Sequence, residues 1–194
     1  NGDQGDPIAV AYKDGPMHLP WERYLAVGIR NIIDRIYQNN GAVPGFLAQL
    51  SGITAVPGLR ADGKVTVNAL YDGVRLHSIN DITIAVEHNK DYPINRLRRD
   101  IQPVVYAYLK SICLPVGLEN IPIAVNTNDA FNYGGWSTDA GVSEAKPQAA
   151  YFGNYGVMED TPWGEDPSKP SGPGTMLARY IAVQVVANDF ADFA

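Results

Sequence analysis

Apolar residues recur along this chain with two different periods, and the switches between them mark its elements. From Trp21 to Tyr37 the positions Trp21, Leu25, Ile29, Ile32 and Ile36 fall three and four apart, the spacing of one helical face. Pro20 suits a first turn, Glu22 favours the positive end of the helix dipole, and Arg30 and Asp34 form an i,i+4 pair. Asn39, Asn40 and Gly41 supply the stop. Residues 41–63 are rich in Gly and Pro and predict irregular chain with one helical turn near Phe46 to Leu50. The period then drops to two. Val65, Val67 and Ala69 alternate with polar neighbours in a strand over Lys64 to Tyr71, Asp72-Gly73 is a hairpin-type turn, and Ile82, Ile84 and Val86 share one face of a strand over Asp81 to His88.

Helical spacing returns after Pro93 with Leu97, Ile101, Val104, Val105, Tyr108 and Ile112, where Pro103 is expected to kink or split the helix near Gln102. Pro115 and Gly117 end it, and Ile121 to Asn126 reads as a short strand. Residues 127–175 then show no period and predict a long irregular loop or assembly arm. In the closing stretch from Met176 to Asn188, Ile181, Val183 and Val185 alternate with Tyr180, Ala182 and Gln184, and the β-branched enrichment predicts a strand. At the start, the apolar run from Ile8 to Tyr12 predicts an edge strand. These elements define an α+β fold: two amphipathic helices packed on a mostly antiparallel sheet, in a single domain over 1–194.

Composition narrows the function classes. The chain has 194 residues and a formal charge of −6, and a surplus of acid argues against direct nucleic-acid recognition. No apolar run approaches the roughly 18 residues of a membrane span. The first residue is Asn1, which points to a processed or partial chain. One cysteine, Cys113, excludes an internal disulfide framework and reads as a small buried hydrophobe. There is no Asn-x-Ser/Thr sequon, which argues against a heavily glycosylated secreted protein.

Chemistry-bearing residues are scattered. His77 and His88 flank the hairpin, but neighbours on a strand point to opposite faces, so Glu87 and His88 read as ordinary strand residues rather than a metal pair; His18 stands apart. Asn126, Asn128, Asp129 and Asn132 resemble a calcium loop in composition but lack its spacing, and read as turn formers. Ser171 to Thr175 has no lysine after it and is no phosphate loop, and Gly135-Trp136-Ser137 is no nucleophile elbow. The carboxylate pairs Glu159/Asp160 and Glu165/Asp166 read as solvated loop charge, and Arg96, Arg98 and Arg99 as a solvated basic cluster. No catalytic, metal or cofactor site is therefore expected. The loop aromatics Tyr133, Trp136, Tyr151, Phe152, Tyr155 and Trp163 are the exception: too many for a loop to bury alone, they are the candidate interface, set against the alternative that they pack on the sheet.

The order of elements resembles that of phage tail-terminator and tail-completion proteins. The amphipathic helix WERYLAVGIRNIIDRIY precedes an irregular stretch, DITIAVEHNKDYP leads into the helix INRLRRDIQPVVYAYLKSI, and an excursion separates these from RYIAVQVVANDF. The resemblance implies a ring-forming virion component of the tail or neck, with protein partners and no enzymatic activity. The expected function is a structural homo-oligomer, in a virion or extracellular, with cytoplasmic assembly also open. The alternatives are an extracellular ligand- or carbohydrate-binding module that uses the aromatic loop, and a secreted hydrolase.

Overall fold

A computed structural model of the protein describes residues 8–118, 120–135, 138 and 171–194. Backbone contacts divide the chain into two units, one formed by residues 25–72 and 76–140 and the other by residues 1–24, 73–75 and 141–194.

The larger unit carries the sheet. Helix α1 (Trp21–Gln38) buries Leu25, Ile29, Ile33 and Ile36, each at most 1% exposed. Ile33, not Ile32, occupies the core position, because a step of four after Ile29 keeps the stripe on the covered side. Arg30 and Asp34 form the expected ion pair on the flank, 2.6 Å apart. Gly28 sets the approach of the next long helix: a Cβ there would lie 1.9 Å from the Tyr108 hydroxyl. Helix α2 (Gly45–Ser51) buries Leu47 and leaves Phe46 and Leu50 exposed. Strands β1 (Leu59–Asp72) and β2 (Arg75–His88) are longer than the alternation alone predicts, and the two-residue connection between them makes the pair antiparallel.

Helix α3 (Ile94–Ser111) runs through Pro103 without splitting. The proline removes one backbone hydrogen bond, a loss of about 3 kcal/mol in an isolated helix. Burial of Leu97, Ile101, Val104, Val105 and Leu109 on either side, each stabilising by about 1.5–3 kcal/mol, outweighs it. The helix then returns the chain to β3 (Ile123–Val125), which pairs parallel with β2 in the register Ile82↔Ile123, Thr83↔Ala124, Ile84↔Val125. The sheet order is β1-β2-β3, and the fold is α+β, as the patterning predicts.

Polar side chains of α3 close the free edge of β3. Arg98 donates to the carbonyls of Val125 (2.9 Å) and Asn126 (2.6 Å), Gln102 to Ile123 (2.7 Å), and Tyr106 to Ile121. Four helical residues rise about 6 Å, close to the roughly 6.6 Å of two strand residues, so every fourth helix side chain meets every second carbonyl. Asn126 continues the ladder beyond β3. Its main-chain N–H donates to Ile84, and its buried carboxamide donates to Val86 O (2.9 Å) and accepts from Val86 N–H (2.8 Å).

In the smaller unit the closing segment is a helix, α4 (Ser171–Ala187), and not the strand its alternation predicts. Thr175, Ala182 and Val186 are buried, seven and four residues apart, so a helical period decides the packing, while Ile181, Val183 and Val185 of the alternation stay partly or fully exposed. Arg179 fixes the helix by donating to the carbonyls of Val10, Met17 and His18. Ile8 to Tyr12 forms no strand; Tyr12 alone bridges Phe193, and Ala11 exchanges backbone hydrogen bonds with Ala194.

Candidate functional site

A cleft of about 280 Å³ opens in the larger unit, lined by Arg60, Glu87, Asn89, Lys90, Asn132, Tyr133 and Gly134. Three stretches build it: the start of β1, the last residues of β2 with the chain just beyond, and the segment after β3. Glu87 is 5% exposed and receives the Arg60 Nε at 2.9 Å. A buried carboxylate without a partner is strongly disfavoured, so this pair fixes the guanidinium in place. Arg60 Nη1 reaches Asn89 Oδ1 at 3.3 Å. Lys90 holds its ammonium 4.4 Å above the centre of the Tyr133 ring, a cation–π contact that leaves its hydrogens unspent.

The segment 131–135 is tied across the ends of both strands. His88 N–H donates to Phe131 O (2.8 Å), and the Asn132 amide donates to His88 O (2.9 Å) and lies 3.3 Å from His88 Nδ1. Asp62 Oδ2 accepts the Gly135 N–H at 2.8 Å. Gly134 is needed for this approach, because a Cβ there would stand 2.6 Å from the same oxygen. Beside the cleft, Tyr92 is buried and hydrogen-bonded to Asp100. Burial first, and then that carboxylate, push its phenol up to about 12.

Of the predicted interface aromatics, Tyr133 stands in this cleft and is 64% exposed. Trp136, Tyr151, Phe152, Tyr155 and Trp163 lie outside the described residues, as does most of the 127–175 stretch. The histidines part company: His77 is exposed, while His88 is buried with its Nε2 unpartnered among the described residues. Cys113 is exposed rather than buried, because α3 ends two residues earlier and the chain turns there with a positive φ of 51°. Among the described residues no group of three or more His, Cys, Asp or Glu side chains is placed to hold a metal ion, and no helix is long and apolar enough to cross a membrane.

Arg60 and Lys90 were not singled out from the sequence, and Glu87 was weighed only as a metal ligand beside His88 and set aside as an ordinary strand residue. A buried Glu beside the strand alternation was the available signal, since such a carboxylate demands a cation. Of the basic cluster, Arg98 is spent on β3, while Arg96, which approaches Asp100 at 3.6 Å, and Arg99 are exposed.

The fold has solved counterparts. A structure titled an unusual S-adenosylmethionine synthetase from Campylobacter jejuni matches all of this chain and 48% of its own, with a TM-score of 0.72 at 21% identity, a likeness of fold. At the level of sequence, the S-adenosylmethionine synthase of Aquifex aeolicus is 30% identical over 192 residues, covering 98% of this chain and 47% of the relative. That of Salinispora arenicola is 28% identical over 194 residues, covering 98% and 45%. The chain thus spans about half the length of the curated relatives it matches. No protein-family model matches it.

These matches overturn the phage tail resemblance and the function drawn from it. The relatives are named as enzymes of biosynthesis, not as virion tail or neck components, binding modules or hydrolases. The non-enzymatic reading, and the virion or extracellular placement that rested on it, fall with them. Element order misled because helix–hairpin–helix–strand is a common economy of small α+β folds and carries no chemistry.

Proposed function

We propose that this protein serves the synthesis of S-adenosylmethionine. The observation that carries the reading is the alignment of 98% of the chain with synthases of that name at 25–30% identity; the shared fold supports it. The product dictates the chemistry. A lone pair on the methionine sulfur attacks the 5′ carbon of an adenosyl donor, the C–S bond forms, and the bond to the leaving group breaks with its electron pair. The result is a sulfonium cation and a departing anion. A triphosphate on the 5′ carbon is a leaving group equal to that task. Because the chain spans about half of each relative, the reaction as a whole is proposed for the natural polypeptide that contains these residues.

The proposal includes a protein partner, a second copy of the same polypeptide. Met176, Leu177, Tyr180 and Ile181 form an apolar stripe on α4, each more than half exposed. The aromatic set from Tyr133 to Trp163 belongs to the same proposal as further contact surface. Equilibrium dialysis with labelled S-adenosylmethionine tests the reading: saturable binding that unlabelled product displaces is the expected result. Absence of saturable binding to the intact polypeptide overturns it. Sedimentation should give a mass above one protomer, and a monomer at micromolar concentration refutes the partner.

A further inference from the structure

We infer that the groove between α2 and α3 docks an acidic amphipathic helix of a protein partner, whether or not the protein makes S-adenosylmethionine. The groove has a volume of about 520 Å³ and lies within the larger unit. One side is a single stripe of α3, in which Arg99, Gln102, Pro103, Tyr106, Ala107 and Lys110 follow at steps of three and four. Leu50 and Ser51 of α2 form the other side, and Leu50 is 58% exposed. Phe46, one turn before Leu50, is exposed as well and continues the apolar rim along α2. The polar groups between the two ends already have tasks. Gln102 donates to Ile123 O, Tyr106 donates to Ile121 O, and Ser51 Oγ accepts the Ile53 N–H. What the middle of the groove offers an occupant is carbon, from Leu50, Pro103 and the Tyr106 ring.

Charge identifies the occupant. Arg99 and Lys110 are exposed, and neither has a hydrogen-bond or ion-pair partner among the described residues. Three turns of α3 separate them, so they share one helical face about 16 Å apart. No Asp or Glu lines the groove, which makes it a local positive surface on a chain of net charge −6. A second copy fits badly, because whichever way its α3 ran, cations would meet cations at both ends, and like charges set together cost binding. A helix with a carboxylate at each end of its apolar face matches both features. It repeats at the same three-turn spacing, and apolar anchors between the acids meet the carbon floor.

Fluorescence anisotropy of a labelled synthetic peptide, titrated with the intact natural polypeptide, tests the groove. The probe is a helix of leucines along one face with a glutamate at each end of that face, three turns apart. Its control has the same composition with the glutamates moved to the opposite face. Saturable binding of the probe, at least about tenfold tighter than the control, is the expected result. Arg99→Glu and Lys110→Glu should each weaken it by about fivefold to tenfold, and Leu50→Ser by about tenfold. The double charge reversal should in turn bind the probe rebuilt with lysines in place of its glutamates. Lys64→Glu, an exposed cation on β1, should change nothing. Arg99, Lys110 and Leu50 are all exposed, and circular dichroism confirms that each variant folds. Absence of saturable binding overturns the inference, as does equal binding of probe and control or binding that charge reversal leaves intact. Sedimentation in which Leu50→Ser lowers the mass assigns the groove to a second copy and overturns it too.

Discussion

Asn126→Ala is expected to cost about 3–7 kcal/mol of stability, more than its exposed asparagine neighbours would suggest. The side chain is 4% exposed and makes two hydrogen bonds to a single residue, donating to Val86 O at 2.9 Å and accepting from Val86 N–H at 2.8 Å. It thereby does what the next residue of a longer β3 would do. Removing it orphans one buried donor and one buried acceptor, at about 1–3 kcal/mol each. The backbone adds to this: Asn126 has φ 46°, a conformation asparagine tolerates and alanine accepts at a cost of roughly 1 kcal/mol. Asn126→Gly separates the two contributions, since it loses the same hydrogen bonds while relieving the backbone. Asn126→Asp keeps the acceptor but turns a carboxylate oxygen toward Val86 O, and should be at least as damaging as alanine. Urea melts followed by circular dichroism give the global cost. Amide exchange at Val86 gives the local one, and its protection should collapse in the alanine and glycine variants, which remove the acceptor of its N–H. A loss below about 1 kcal/mol for Asn126→Ala, with Val86 still protected, refutes the claim that this carboxamide extends the sheet.

Four further outcomes follow from the packing and the charges. Ile33→Ala should cost about 2–5 kcal/mol in the same melts, and Ile32→Ala clearly less; equal costs would return the core stripe to the register read from the sequence. Gln102→Leu leaves the Ile123 carbonyl without its donor and should destabilise by about 1–3 kcal/mol, whereas a neutral result would mean that water caps this edge. Tyr92 has its phenol raised from about 10 to about 12 in the folded protein, so the stability it confers is complete below pH 10 and is lost as pH rises toward 12. Alkaline absorbance titration of the protein against Tyr92→Phe should show the missing phenolate step near 12; a missing step near 10 contradicts the burial and the Asp100 contact. Cys113 should react with a thiol reagent in the native state at a rate close to that of the urea-unfolded chain, and strong protection would place it back inside.

Periodicity carried most of the larger unit, because a helix or strand that buries one face must repeat its apolar residues at its own period. Leu25, Ile29 and Ile36 on α1, the Ile82–Ile84–Val86 alternation on β2 and Leu97 to Tyr108 on α3 were all legible for that reason. The same logic failed for α4. Its Ala182 and Val186 satisfy a helical period and its Ile181, Val183 and Val185 a strand period, and tertiary contact with Ala11 settled the choice. Polar residues that serve the backbone were the least legible. Arg98, Gln102 and Tyr106 read as the wet side of a helix, yet each meets a carbonyl of the strand edge, and nothing in their own spacing distinguishes that task from solvation. The cleft was hidden for a related reason. Arg60 and Glu87 stand 27 residues apart and meet only through the register of the hairpin. The function was not legible from motifs, and element order pointed to the wrong class of protein.

The reaction proposed for the natural polypeptide joins the methionine sulfur to an adenosyl 5′ carbon. Carbon NMR of methionine labelled in its S-methyl group, incubated with adenosine triphosphate and the intact natural polypeptide, tests it at the atom concerned. Conversion of the thioether to a sulfonium moves the methyl resonance, and the new signal should grow only when protein and both substrates are present. A spectrum that stays that of free methionine, with folded protein in the tube, contradicts the claim.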